Sequence, residues 1–354
     1  MTGDNEFYKG FNLNWISKYR SELFGIAILS VFYFHFGGLH IEFYKNGSGI
    51  FYDMTKLFRV YFSSAGVDIF AFLSGMGLYY SFSANNDLGR YYSRRFKRIL
   101  IPYAIVGIIF WIQHDIRLVH AGVERLLQDF TYVTFFTEGI NNLWFIFFIG
   151  CMYLIFPAVY KLTFSGKCEP LKLAIIFVVA VMIPIMLYNY DVDFYRNIDK
   201  AITRVPAFLL GVPAGKYIKQ EKRVPHILVV LLIVAGSAVR YYAVQNEIKG
   251  WESRYITSFF GLAMMLLFVY CLRAADGAVH FRGILRFFGK YSLELYLLHI
   301  LIWEFMGVAM GIPLQRASRW LILTFISVAL APVLSKITDS ISNIHFKENA
   351  NSVD

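Results

Sequence analysis

Apolar runs of about 20 residues, the length that crosses a hydrocarbon core about 30 Å thick, recur along this chain and alternate with short polar stretches. The pattern predicts about ten membrane-spanning helices, at approximately residues 22–40, 60–83, 98–114, 143–161, 171–189, 201–216, 225–243, 254–272, 287–310 and 319–338. The sixth is the weakest, being short and interrupted by Pro206 and Pro213. No repeat with a period of 20–50 residues is present. The expectation is an all-α, polytopic transmembrane helix bundle forming a single membrane domain over 1–354, with short polar tails at 1–21 and 341–354. The first twenty residues are polar and mixed in charge, without a small-residue cleavage site after the first apolar run, so that run is expected to be retained.

Lys and Arg gather in cytoplasmic loops. Here they concentrate at Arg90, Arg94, Arg95, Lys97 and Arg98 after the second span, and at Lys216, Lys219, Lys222 and Arg223 after the sixth. With an even number of spans, both termini are then cytoplasmic. Loops 41–59 and 115–142 fall outside, and they mix charges with aromatics such as Tyr44, Tyr52, Tyr132 and Phe135. Composition agrees with lipid as solvent: 57% of residues are hydrophobic and 16% charged. The net charge of +10 does not point to nucleic acid, because the basic residues are interleaved with apolar runs and form no basic domain. Cys151, Cys168 and Cys271 are scattered, which gives neither a disulfide framework nor a zinc site; no metal is expected.

Ionisable groups deep in a span are costly, which makes each one a functional candidate. Three stand out. His35 lies roughly 20 Å from the cytoplasmic edge of the first span, at about 1.5 Å per residue. Asp68 lies about 12 Å down the second span from the outside, and His299 about 18 Å up the ninth. In a core about 30 Å thick these depths converge on one layer. Acyl transfer to a hydroxyl needs a base active near neutral pH, and His is the usual one. A carboxylate on the second ring nitrogen fixes the tautomer and supports the imidazolium; His35 with Asp68 is a candidate for that pair. The competing reading is of buried polar groups that tie helices together.

The cluster Arg94, Arg95, Lys97, Arg98 satisfies the positive-inside rule and attracts anionic headgroups. Alternatively, the planar Arg fork captures phosphates of a nucleotide-containing donor, for which coenzyme A is the natural candidate. In the ninth span Ser292, Tyr296, His299 and Trp303 recur at helical spacing and would line one stripe of the bundle; packing alone explains the aromatics, and His299 adds chemistry. Ser74, Gly75 and Gly77 read as small residues that let helices approach.

Several segments together resemble the acyltransferase 3 family of integral membrane acyltransferases. They are Gly25-Ile26-Ala27-Ile28-Leu29 leading to His35; Gly66-Val67-Asp68-Ile69-Phe70 continuing to Leu73-Ser74-Gly75; Arg94-Arg95-Phe96-Lys97-Arg98-Ile99 followed by Pro102-Tyr103; Leu143-Trp144-Phe145; and Gly289-Lys290-Tyr291-Ser292 with Tyr296-Leu297-Leu298-His299. The resemblance implies a ten-span fold in a bacterial cytoplasmic membrane. It implies transfer of an acetyl or other short acyl group, usually from acyl-CoA, to a glycan or lipid-linked sugar. It also implies that His35 is the essential first-span histidine and that Arg94, Arg95 and Arg98 are the required basic loop. The family commonly has an Arg eleven residues before that His, where this chain has Phe24. Arg20, one turn closer to the cytoplasm, is expected to replace it, with Glu22 standing in for a nearby acid.

The expected activity is therefore acyl transfer with His35 as base or transient acyl carrier, Asp68 as its partner, and Trp144, Ser292, Tyr296, His299 and Trp303 shaping the cavity. A transporter or exporter of a glycan or amphiphile is the rival, since the same groups would line a permeation path. Against it stands the lack of an inverted repeat. The oligomeric state, including a homo-oligomer, is left open.

Overall fold

A computed structural model describes residues 10–37, 49–50, 61–63, 65–140, 142–306 and 317–351. Of the described residues, 85% are helical, as expected where lipid offers the backbone no hydrogen-bonding partner and every N–H and C=O must be satisfied within the element. In order, a two-residue strand β1 (Phe11–Asn12) is followed by α1 (Asn14–Lys18), α2 (Arg20–Gly37), α3 (Gly66–Ala84) and α4 (Leu88–Trp111), which continues as a π-helical turn over Ile112–Leu118. Next come α5 (Val123–Phe130), α6 (Val133–Thr137), α7 (Trp144–Phe164), α8 (Glu169–Tyr190), α9 (Val192–Ile202) and α10 (Val205–Lys219). A second short strand β2 (Arg223–Val224) leads to α11 (His226–Gln245), α12 (Gly250–Ala274), α13 (Val279–Lys290), α14 (Ser292–Glu304) and α15 (Ala317–Asn351). β1 and β2 pair antiparallel, Phe11 opposite Val224.

Among the described residues, six helical stretches are long and apolar enough to cross a bilayer: Leu88–Leu118, Trp144–Phe164, Glu169–Tyr190, His226–Gln245, Gly250–Ala274 and Leu321–Asn343. The protein is an all-α membrane protein. Boundaries differ from the expectation in instructive places. The basic stretch before the third span is not a loop, because α4 starts at Leu88 with Asp87 accepting from the Arg90 amide; an Asp N-cap satisfies an orphan donor and lets the helix begin ahead of the apolar run. The ninth span is broken, with α13 ending at Lys290 and α14 starting at Ser292. The polar tail expected from about Ile341 is helical through Asn351. Pro206 sits in the first turn of α10, where its missing N–H costs nothing. Loop 41–59, with Tyr44 and Tyr52, lies almost wholly outside the described residues, whereas 115–142 folds into the π turn, α5 and α6, with Phe135 fully buried.

Contacts divide the chain into two compact units, one of residues 1–34, 54–86 and 155–290, the other of 35–53, 87–154 and 291–354. In the first, α3 and α10 meet through a reciprocal pair of glycines: a side chain on Gly75 would strike the Phe208 carbonyl, and one on Gly211 the Phe72 carbonyl. Gly25 and Gly289 do the same for α2 and α13, against Leu285 and Ser21. Small residues bring backbones together where no hydrophobic force drives helices to associate. In the second unit, α14 packs against α4 and α15.

Candidate active site

The second unit gathers polar groups along α14. His299 is fully buried, and its Nδ1 lies 3.1 Å from the Leu295 carbonyl one turn back. The His35 ring, near the end of α2, stands 5.1 Å from the His299 ring between centroids, tilted by 59°. Trp303 closes edge-on to His35 at 5.9 Å. Tyr296 is 5.8 Å from His299, and its hydroxyl accepts from the Phe145 amide at 3.2 Å. Phe145 packs on Trp144 and Phe148 at the start of α7, so Trp144 touches the cluster through its neighbour. Ser292 lies half-buried one turn below Tyr296. Two imidazoles and an indole thus form one cluster of rings.

Below this cluster, toward the start of α14, Arg98 of α4 forks onto Glu294, with Nη1 to Oε1 at 2.5 Å and Nη2 to Oε2 at 3.2 Å. Glu294 is wholly buried, whereas the Arg98 side chain is 41% exposed. A bidentate Arg–carboxylate pair is among the stronger hydrogen-bonded contacts, so Arg98 is committed to α14. Arg94, exposed, and Arg95, half-buried, sit one turn nearer the start of α4. Above the cluster, His114 of the π turn bonds Glu304 at the end of α14, 2.7 Å apart. From Glu294 to Glu304 is about 15 Å of helix, occupied by buried acid, tyrosine, imidazole, indole and acid in turn.

Asp68 belongs to the first unit and is fully buried on α3. Its Oδ1 accepts from the Ser258 hydroxyl of α12 and stands 3.3 Å from Arg204 Nε, an ion pair without hydrogen-bond alignment. Arg204 Nη1 donates to Thr203 Oγ1 at 3.0 Å, and that hydroxyl donates to the Asp199 carbonyl. The Asp199 carboxylate takes Arg254 Nε at 2.8 Å. Asp68 is therefore one end of a network spanning α3, α9, α10 and α12.

The same unit holds Arg20 and Glu22. The Arg20 guanidinium lies over the Phe24 ring, 5.3 Å from its centroid, and against Gly77, where a Cβ would collide with Nη2. Glu22, 1% exposed, accepts from Arg282 Nη2 and Arg286 Nε, each at 2.9 Å. Its charge is met by two guanidiniums of α13.

A family model described as an acyltransferase domain matches residues 25–336. The chain belongs to the acyltransferase 3 family. The matched stretch takes in His35, Asp68, the basic start of α4 and all of α14, and begins just beyond Arg20 and Glu22. No curated protein and no solved structure matches the chain. As a member of this family it is a membrane acyltransferase.

The residues that sequence reasoning missed are partners: Glu294, Arg204, Ser258, His114 and Glu304. Glu294 lies inside the expected ninth span, and the rule that singles out buried ionisable groups applies to it as it does to His299. Ser258 carries no such signal, since a hydroxyl in an apolar helix is ordinary.

Proposed function

We propose that this protein is an O-acyltransferase of the bacterial cytoplasmic membrane, with about ten spans and both termini inside, that moves an acetyl or other short acyl group from acyl-CoA to a hydroxyl of a cell-surface glycan or lipid-linked sugar. The observation that carries this reading is a half-buried imidazole, His35, set against a second imidazole and an indole in a chain of the acyltransferase 3 family. Acyl transfer needs a base of that kind held away from bulk water.

His35 takes the proton of the acceptor hydroxyl as its oxygen attacks the thioester carbonyl. The carbon–sulfur bond breaks, and the departing thiolate receives the proton from the imidazolium. The donor is an anionic nucleotide thioester, and the residues fit it in part: Arg94 and Arg95 offer guanidiniums at the start of α4, and Arg20 offers one over Phe24. Arg98 contributes by anchoring α4 to Glu294. Trp144, Tyr296 and Trp303 give the acyl chain an apolar, water-poor wall. The bonds Asp68 makes favour a role in holding α3, α10 and α12 in place, through Arg204 and Ser258.

The test is transfer of labelled acetyl from acetyl-CoA in membrane vesicles, read by mass spectrometry of surface glycans. His35→Ala is expected to lower transfer by about 10²- to 10⁴-fold, the range for losing a general base, at unchanged protein abundance. Full transfer in that variant would remove the mechanism.

A further inference from the structure

We infer that α13 is an interfacial helix: its Phe281, Ile284 and Phe288 strip lies among the acyl chains of the leaflet at which α12 ends, and its Arg286 and Lys290 strip meets the phosphates of anionic phospholipids there. The inference is independent of the acyl-transfer reading above.

α13 turns charge inward and apolar rings outward. Arg282 is buried, with Nη2 and Nε donating to Glu22 Oε1 at 2.9 and 3.1 Å and Nη1 donating to Asp276. Leu285 is buried beside it, and Gly289 lies so close to α2 that a side chain there would strike the Ser21 carbonyl. These three positions form the face held by the protein. At 3.6 residues per turn, Phe281, Ile284 and Phe288 form a strip on one flank of that face. Phe281 and Ile284 are 54% and 57% exposed, and Phe288 is half-buried. His280, in the first turn, interrupts this strip with a group compatible with headgroups. On the other flank lie Arg286, whose side chain is 51% exposed, and Lys290, also exposed. An apolar strip with Phe and a basic strip beside it are what a helix in the plane of a membrane interface presents.

The tether places this helix at a bilayer surface. α12, over Gly250–Ala274, is long and apolar enough to cross, and only residues 275–278 separate it from α13, at most about 18 Å of extended chain. That connection is folded further by the bonds from the Ala278 amide to the Ala275 carbonyl and from the Val279 amide to the Gly277 carbonyl. α13 itself measures about 18 Å, too short to cross a core of about 30 Å. The local charge selects the lipid. Glu22 is met by Arg282 and Arg286, and Asp276 by Lys18 and Arg282, so with Lys290 added the surface around α13 is net positive. Anionic headgroups are attracted to basic groups so placed.

The test uses the full-length protein with Cys151, Cys168 and Cys271 replaced by Ser, carrying a nitroxide at Phe281→Cys, Ile284→Cys or Lys290→Cys, in vesicles of phosphatidylcholine and phosphatidylglycerol. Collisions with oxygen are expected to exceed those with a water-soluble nickel chelate at 281 and 284, and the order is expected to reverse at 290. Free access of the chelate to 281 and 284 shows a face in water and overturns the inference. Exclusion of both reagents shows a face covered by protein, whether a second copy or another chain, and overturns it equally. The headgroup assignment is read separately, from the lipid retained by the otherwise unmodified protein on mild extraction. Phosphatidylglycerol is expected to be enriched over the bulk vesicle, and Lys290→Gln, which leaves the Glu22 clasp untouched, is expected to lower that enrichment by up to about fivefold, the worth of one basic side chain at an anionic surface. If the labelled chains do not accumulate, retention by the wild-type protein decides, and a ratio equal to that of the bulk vesicle overturns the proposal.

Discussion

Single side chains separate the proposed donor binding from structure. Phe24 stands where the family has an Arg, and Arg20 lies on its face beside Gly77. Cation–π contact of this type contributes about 0.5–1 kcal/mol at exposed sites and more when desolvated, enough to bias the Arg20 guanidinium toward the Phe24 ring. Gly77→Ala would push that guanidinium aside while leaving the helix intact. The expectation is a rise of about tenfold in the KM for acetyl-CoA, the equivalent of one weakened charge-assisted hydrogen bond, with abundance unchanged and Arg20→Ala behaving alike. An unaltered KM in both would take Arg20 out of the donor site. Arg98 and Glu294 make a second, asymmetric case. Arg98→Ala strands a fully buried carboxylate, whereas Glu294→Gln leaves a guanidinium with access to water. Arg98→Ala is expected to cost about 3 kcal/mol, the lower end for breaking a buried pair, and Glu294→Gln about 1 kcal/mol. Thermal unfolding in detergent measures both, and equal losses would mean that the pair is not anchored as its burial implies.

At the scale of elements, periodicity made faces legible and left partners hidden. The positions 292, 296, 299 and 303 do share α14, and the buried ones among them follow the helical repeat. What the pattern could not supply was which groups come to meet them: Glu294 meets Arg98 across 196 residues, and Asp68 meets Ser258 across 190. Pairings that distant depend on how helices are arranged, which no local rule encodes. The basic stretch was misjudged for a local reason, because charged residues extend a helix beyond its apolar run once Asp87 caps it. The close approach that Gly75 permits is legible in the sequence, whereas its partner helix α10, and the crossing of α2 with α13 through Gly25 and Gly289, are visible only in the structure. The segment after α4 behaves as an element of its own. Arg125 of α5 bonds Glu138, just past α6, through Oε1 at 2.6 Å and Oε2 at 2.8 Å, and also takes Asp129. The hydrogen bonds from Arg125 hold the Glu138 carboxyl below its ordinary value. A lowered folded-state value means that the pair's contribution is complete above the ordinary Glu value of about 4.3 and is lost as pH falls through the lowered one. Hydrogen exchange over 123–138, corrected for intrinsic rates, is therefore expected to be flat from pH 5 to 8 and to accelerate below about 4. In Glu138→Gln it should be faster throughout; a variant matching the wild type at neutral pH would show the clasp to be idle.

At the scale of the molecule, the six helices among the described residues that satisfy the length and hydropathy needed for crossing do not by themselves say which end faces the cytoplasm, so orientation rests on the placement of Lys and Arg. That argument reaches a native probe. Cys168 is exposed at the N-cap position of α8, in a connection that also holds Lys167 and is flanked by Lys161 in the last turn of α7 and Lys172 in the first turn of α8. On the proposed topology of about ten spans with both termini inside, the α7–α8 connection would lie on the cytoplasmic side. A membrane-impermeant maleimide is then expected to label Cys168 in inverted vesicles and to miss it in right-side-out ones. Cys271, near the end of α12, should follow the same side. The mechanism depends on this outcome, because coenzyme A thioesters are cytoplasmic and do not cross a bilayer unaided: the guanidiniums at the start of α4 must face the compartment that supplies the donor. An odd number of spans between α4 and Cys168 would separate them, whereas α4 and α7 together return the chain to the side from which it set out. Labelling of Cys168 from the outside would place Arg94 and Arg95 with it, away from the donor, and acyl-CoA would have to be abandoned as the source of the acyl group.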